Sequence, residues 1–236
     1  MKFDNLSSSK RINKWINESY RECRASYPIP TKGRIAFDIG ANVGGFCIHA
    51  HKNFDRIYAF EPLIQNYSVT KEVLKSLKIN NVDLFNTAIF SESGKIMKMY
   101  SGNDSCISGD VTLVLDGINK EQKDSGQTCE TISLKDAMES LGVEKIDYLK
   151  MDCEGSEYEI LENFYDYHKI DLICMEIHQL YGYDRKKKLL KMLENFYYLT
   201  DINKCGEIFV NDAIQNQVVD NFENLQNVLL INRNLT

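Results

Sequence analysis

One segment constrains this chain more than any other: Ile35-Ala36-Phe37-Asp38-Ile39-Gly40-Ala41-Asn42-Val43-Gly44-Gly45-Phe46. An apolar run ends in an acid and opens into a glycine-rich turn. A helix-like segment follows, and Tyr58-Ala59-Phe60-Glu61 then supplies a second apolar run closed by a second acid. This is a strand–loop–helix–strand unit with a carboxylate at each strand end, the arrangement by which an α/β sheet holds an adenosine-containing cofactor.

The same segment argues against a dinucleotide. That fingerprint needs G-x-G-x-x-G, and here Asn42 stands at the second glycine position. Asp38 would also face a pyrophosphate with negative charge. A cofactor with a cationic end, a ribose diol and no phosphate fits better, and S-adenosylmethionine has those properties. On this reading Gly40 and Gly44 let the backbone approach the ligand. The helix that follows offers N–H groups to the methionine carboxylate. Asp38 faces the ammonium, Glu61 accepts from the ribose hydroxyls, and Asn86-Thr87-Ala88 borders the adenine.

Strands and helices alternate along most of the chain. Strands are expected at 35–38, 57–61, 82–88, 146–151, 172–177, 197–202 and 228–231, with an extra one at 95–100. Helices are expected near 43–52, 64–77, 134–141 (started by Ser133), 156–168 and 185–196. Residues 101–126 are rich in Gly, Ser, Asp and Asn and read as a long loop or hairpin, of the sort that forms lids. Ile12, Trp15, Ile16 and Tyr20 recur at helical spacing, and Pro28 and Pro30 follow. The division expected is a short N-terminal helical appendage over 1–30 and a sheet domain over 31–236. The fold class is α/β: a doubly wound, mostly parallel sheet with helices on both faces.

The chain has 236 residues and a net charge of −6, which disfavours bulk nucleic acid as a partner. Lys186-Lys187-Lys188 lies at helical spacing and reads as a solvated face. Seven scattered cysteines without a C-x-x-C indicate neither a zinc knuckle nor a disulfide framework. With no visible signal peptide and no run long enough to span a membrane, a cytoplasmic protein is expected. Trp15 and Tyr20, taken as surface aromatics, are candidates for a homo-oligomer interface.

Two further clusters carry chemistry: Lys150-Met151-Asp152-Cys153-Glu154-Gly155-Ser156-Glu157 and Glu176-Ile177-His178, each at a strand end. Residues two apart on a strand share a face, so Glu176 and His178 align if the strand persists that far. Methyl transfer to an alcohol needs the hydroxyl proton removed. His178 suits the base role, with Asp152 and Glu154 as the other candidate catalytic groups. Alternatively Asp152, Glu176 and His178 bind Mg²⁺ or another divalent ion. Glu154 and Glu157 have a bland reading as well, since carboxylates are favoured at a helix N-terminus.

The order Phe37-Asp38-Ile39-Gly40-Ala41-Asn42-x-Gly44, Phe60-Glu61-Pro62, Asn86-x-Ala88 and Leu149-Lys150-x-Asp152-x-Glu154-Gly155-x-Glu157 resembles the FkbM-type methyltransferases. The likeness runs from about Gly33 to His178. Thr131-Ile132-Ser133-Leu134-Lys135 resembles the family's Thr-x-x-Leu-Asp step, with lysine in place of aspartate. The resemblance implies a seven-stranded, Rossmann-like class I methyltransferase that uses S-adenosylmethionine. The acceptor it implies is a hydroxyl of a sugar, polysaccharide precursor or natural product. Asp38, Gly40, Asn42, Gly44, Glu61 and Asn86 carry over as cofactor contacts, and Ala41, Phe46, Pro62, Ala88 and Asp152 complete the expected set. An NAD-dependent oxidoreductase and a non-catalytic cofactor-binding module remain as alternatives.

Overall fold

The computed structural model describes residues 9–101, 111–113, 123–178, 182–201 and 226–235. Its centre is a seven-stranded sheet built from β1 (Gly33–Ile39), β2 (Phe54–Phe60), β3 (Val82–Phe85), β7 (Ile146–Met151), β8 (Ile170–Glu176), β9 (Tyr197–Asp201) and β10 (Asn227–Asn232). The order is β3-β2-β1-β7-β8-β10-β9. Neighbours are parallel except that β10 runs antiparallel to both β8 and β9. The mostly parallel sheet expected from the sequence is therefore present. Between β1 and β7 the winding reverses direction, which opens a crevice at the carboxyl ends of those strands.

The inner strands are apolar on both faces, as parallel strands covered by helices must be. On β8, Ile173 and Met175 face one core while Leu172 and Cys174 face the other. The first core is covered by α4 (Leu134–Ser140), α5 (Glu157–Glu162) and α6 (Gly182–Leu193), through residues such as Leu134, Ile160 and Leu189. The second is covered by α1 (Lys10–Ser26), α2 (Gly45–Ala50) and α3 (Ile64–Ser76), through Ile16, Phe46 and Val73.

Helix α1 is held at its start by Ser9, whose hydroxyl accepts from Ile12 N at 3.4 Å. Its Ile16 and Cys23, with Tyr27 just beyond its end, share a core with Ala36 and Phe46. Trp15 and Tyr20 pack against that core instead of standing free on the surface. Gly45 permits this close crossing of α1 over α2. A Cβ there would collide with Ser19 Oγ and lie 2.7 Å from the Ser19 backbone.

A second, three-stranded sheet consists of β4 (Ala88–Phe90), β5 (Ile96–Ser101) and β6 (Lys123–Ser133), in the order β4-β6-β5. One expectation changes here and another is narrowed. The single strand expected at 82–88 breaks after Phe85, because Asn86 turns back to donate from Nδ2 to the Glu61 and Pro62 carbonyls, each at 2.9 Å. Residues 123–126, expected in a long loop or hairpin, open β6, which pairs antiparallel with β5 as the hairpin alternative requires. The rest of the expected 101–126 loop lies outside the described residues apart from Ser101 and 111–113.

Helix ends also differ. The helix expected over 156–168 is α5 alone, followed by a short 3-10 turn at Tyr167–Lys169. Side chains take over its last carbonyls, with Asn163 Nδ2 donating to Glu159 O and Tyr167 Oη to Leu161 O. Ser133 does start α4, its hydroxyl accepting from Asp136 N at 3.0 Å. In the lysine triplet Lys186 is buried, because it shares a helical face with Leu189, Leu190 and Leu193 and lays its aliphatic stem among them. Among the described residues, no helix is long and apolar enough to cross a membrane.

Candidate active site

The crevice between β1 and β7 is lined by the turns that leave both strands. Gly40, at φ 78°, and Ala41 donate their N–H groups to the Phe60 carbonyl at 3.1 and 3.0 Å. Gly44 N then bonds back to Ala41 O at 2.8 Å, and Asn42 is left in the left-handed region at φ 51°. Thr70 Oγ1 donates to Asn42 O at 2.7 Å and Asn66 Nδ2 to Asn42 Oδ1 at 3.2 Å. A Cβ on Gly40 would run into the Asp152 carbonyl oxygen, so the two turns fit only because position 40 has no side chain. Asp152 N in turn donates to Ile39 O at 3.1 Å.

Glu61, at the end of β2, is buried at 4% exposure. Its Oε2 accepts from Asn42 N at 2.7 Å and its Oε1 from Leu63 N at 2.9 Å. Each oxygen keeps a lone pair for a further donor. Burial raises its carboxyl to about 7, against the pull of the Leu63 and Asn42 amides. Around it, Gly40, Asn42, Pro62, Ala88, Ile89, Leu113, Asp152 and Glu154 line a cleft of about 620 Å³.

A second compartment, of about 530 Å³, shares Gly40, Asn42 and Asp152 with the first. Ala41, Lys150 and Glu176 line it from the sheet side, and Ser19, Glu22, Ser26 and Tyr27 from the side of α1. Those residues of and beside α1 were not singled out in the sequence. Only the packing of α1 onto α2 brings them there, although Ser19, Glu22 and Ser26 share one helical face at i, i+3 and i+7. Tyr27 Oη donates to Asp152 Oδ2 at 3.0 Å.

Not every candidate residue lines a compartment. Asp38 is fully buried, ion-paired with Lys150 Nζ at 3.1 Å and accepting from Cys47 Sγ at 3.3 Å. The Lys150 ammonium also donates to Gly40 O at 2.6 Å. Burial works against that charge, but Asp38 and Asp152 hold its pKa above the usual lysine range. Asp38 thus braces the glycine turn through Lys150, its partner across the β1–β7 register. Gly44 caps α2 from behind the cleft, and Phe46 is a core residue stacked on Tyr148 at 5.7 Å. Asn86 pins the Glu61–Pro62 backbone.

Strand β8 ends at Glu176, so Ile177 and His178 lie beyond it. The Tyr158 hydroxyl donates to His178 O at 2.8 Å. The imidazole bridges two acids: Nδ1 is 3.2 Å from Glu157 Oε1 and Nε2 is 3.2 Å from Glu154 Oε2. Glu176 Oε1 is 4.0 Å from Nε2. Burial alone would lower the imidazole pKa, but Glu154 and Glu157 outweigh it and raise the value to about 11. With those partners alone the ring holds its proton and has no lone pair to offer, which counts against the expected role of general base. Asp152, Glu154 and His178 converge, whereas the sequence pointed to Glu176 as the third member of such a group. The difference follows from the left-handed Glu154, at φ 52°, which returns its side chain toward the imidazole.

The family described as the methyltransferase FkbM domain matches residues 38–209. The chain belongs to the FkbM methyltransferase family. A hexuronic acid methyltransferase, AglP of Haloferax volcanii, is 27% identical over 194 residues, which cover 77% of this chain and 71% of that protein. Among solved structures, a methyltransferase FkbM from Methylobacillus flagellatus KT superposes with a TM-score of 0.50 at 13% identity. The match covers 90% of this chain and 47% of that one, so the chain spans about half the length of that solved relative. That likeness is one of fold. For this FkbM-family chain it agrees with the seven-stranded sheet.

Proposed function

We propose that this FkbM-family chain is an S-adenosylmethionine-dependent O-methyltransferase. Its acceptor would be a hydroxyl of a sugar, a polysaccharide precursor or a sugar-bearing natural product. The observation that carries the cofactor half is the lining of the first cleft. Glu61, Asp152 and Glu154 contribute carboxylates, and none of the described residues lining it is Lys or Arg. A dinucleotide's pyrophosphate would meet negative charge there and find no cationic partner. A sulfonium meets complementary charge, and a ribose diol can donate to the open lone pairs of Glu61. Pro62, Ala88, Ile89 and Leu113 provide an apolar slot of the kind an adenine ring occupies. The second compartment then takes the methionine end.

The acceptor half rests on the similarity to AglP, whose name specifies a hexuronic acid methyltransferase. In the reaction the acceptor oxygen attacks the methyl carbon and the carbon–sulfur bond breaks. The electron pair stays on sulfur, giving S-adenosylhomocysteine, and the hydroxyl proton passes to the carboxylates gathered at Asp152, Glu154 and Glu176. The donor is already activated, so the protein's contribution is mainly to align the two substrates. A cytoplasmic setting accords with the unpaired thiols of Cys23, Cys47, Cys129, Cys153 and Cys174.

Isothermal calorimetry tests the cofactor half. S-adenosylhomocysteine is expected to bind and NAD not to; the reverse would return the chain to the oxidoreductase reading. Mass spectrometry of candidate sugar nucleotides incubated with isotope-labelled cofactor tests the acceptor half, through the appearance of a labelled methyl group.

A further inference from the structure

We propose that Asp152, Glu154 and His178 form a binding site for one divalent cation of the Mn²⁺ or Mg²⁺ kind. The purpose of such an ion rests on the methyl-transfer reading; the site itself rests on geometry. One ligand atom from each of the three residues lies within 4.8 Å of the other two. Glu154 Oε2 and His178 Nε2 are 3.2 Å apart. Around an octahedral ion with metal–oxygen bonds of about 2.1 Å, adjacent ligand atoms sit about 3 Å apart and opposite ones about 4 Å. The observed spacing therefore suits an ion with only small side-chain movements. Two carboxylates and, once the ion has displaced the Nε2 proton, an imidazole form a hard, mixed O/N donor set that leaves positions open for water or acceptor oxygens.

The support behind the imidazole points the same way. Metal-binding histidines commonly hand their second ring nitrogen to a carboxylate, which fixes the ring. Here Glu157 is that carboxylate: fully buried, with Oε1 on His178 Nδ1 at 3.2 Å and held by Cys153 N at 3.0 Å. Among the described residues, its buried Oε2 meets no hydrogen-bond partner. Glu157 Oε1 on Nδ1 fixes the ring so that Nε2 faces Glu154. Glu176, 4.0 Å from Nε2, adds another carboxylate to the same spot. Lys150 does not offset them, being engaged by Asp38 and the Gly40 carbonyl. An ion at this place would also sit where the two compartments meet, since Asp152 lines both. That is where an acceptor hydroxyl has to be held against the donor's methyl group.

The test is a Mn²⁺ titration of the full chain after chelator treatment, with free Mn²⁺ read by electron paramagnetic resonance. One Mn²⁺ per chain is expected, displaced by Mg²⁺. Glu154→Gln and His178→Asn should each weaken Mn²⁺ binding by about tenfold or more, and Glu176→Gln by less than about threefold. A cooperative thermal transition followed by circular dichroism, unchanged from the parent, reports that the variants are folded. Lack of stoichiometric Mn²⁺ binding, or binding that Glu154→Gln and His178→Asn both retain, overturns the proposal. Binding of S-adenosylhomocysteine without Mn²⁺ would remove the cation and leave the methyltransferase reading standing. Binding of Mn²⁺ without S-adenosylhomocysteine would do the opposite.

Discussion

Glu61 joins two tasks in one side chain. It ties the glycine turn to the end of β2 through Asn42 N, and it presents a carboxylate to the cleft. Burial moves its carboxyl from 4.5 up to about 7. Between those values the unfolded chain has lost the proton while the folded one retains it. The ligand-free protein therefore loses stability as pH rises from 4.5 toward 7, by on the order of 3 kcal/mol, and no more above that. Ribose hydroxyls prefer the ionised form, so affinity for S-adenosylhomocysteine should climb over the same interval and level off above about pH 7. In Glu61→Gln both slopes should vanish, and at pH 8 binding should weaken by about 1–3 kcal/mol. Calorimetry from pH 5 to 8 measures the binding slope, and wild-type affinity that does not change with pH would remove Glu61 from the ribose. That an acid closes this strand is plain in the sequence. What Asp38 does is not, because its partner Lys150 is more than a hundred residues away and becomes a neighbour only through the β1–β7 register.

At the level of elements, the crossing of α1 over α2 is the contact that completes the second compartment. Adding one methyl group at Gly45 forces Ser19 away, so Gly45→Ala should cost about 1–3 kcal/mol in urea unfolding. It should also loosen Tyr27 from Asp152. A variant as stable as the parent would show that α1 sits elsewhere. The strands and helices with clear apolar periodicity, β1, β2, β7, β8, α3 and α4, were legible from the residues alone. Strand β6 was not: Lys123-Asp124-Ser125-Gly126-Gln127-Thr128 has no alternating apolar face, and pairing with β5 is what orders it. The short α2 and α5 were overextended because the composition beyond their ends suits a helix. Their limits are set by a left-handed glycine at one start and by side chains that take over carbonyls at one end.

For the molecule as a whole, the alternation of strands and helices was enough to give the layered sheet and to place the cleft at its carboxyl edge. The role of the N-terminal segment is a matter of packing, and a truncation measures it. Removing residues 1–30 uncovers the core that Ile16, Cys23 and Tyr27 close. The truncated chain should lose its cooperative thermal transition. A sharp transition with intact binding of S-adenosylhomocysteine would make the segment a true appendage.

The fit between the Gly40 turn and the Asp152 carbonyl has one more consequence. With no room for even a methyl group between them, a displacement of either turn is passed directly to the other, so a substitution that shifts the Gly40 turn should also shift Asp152.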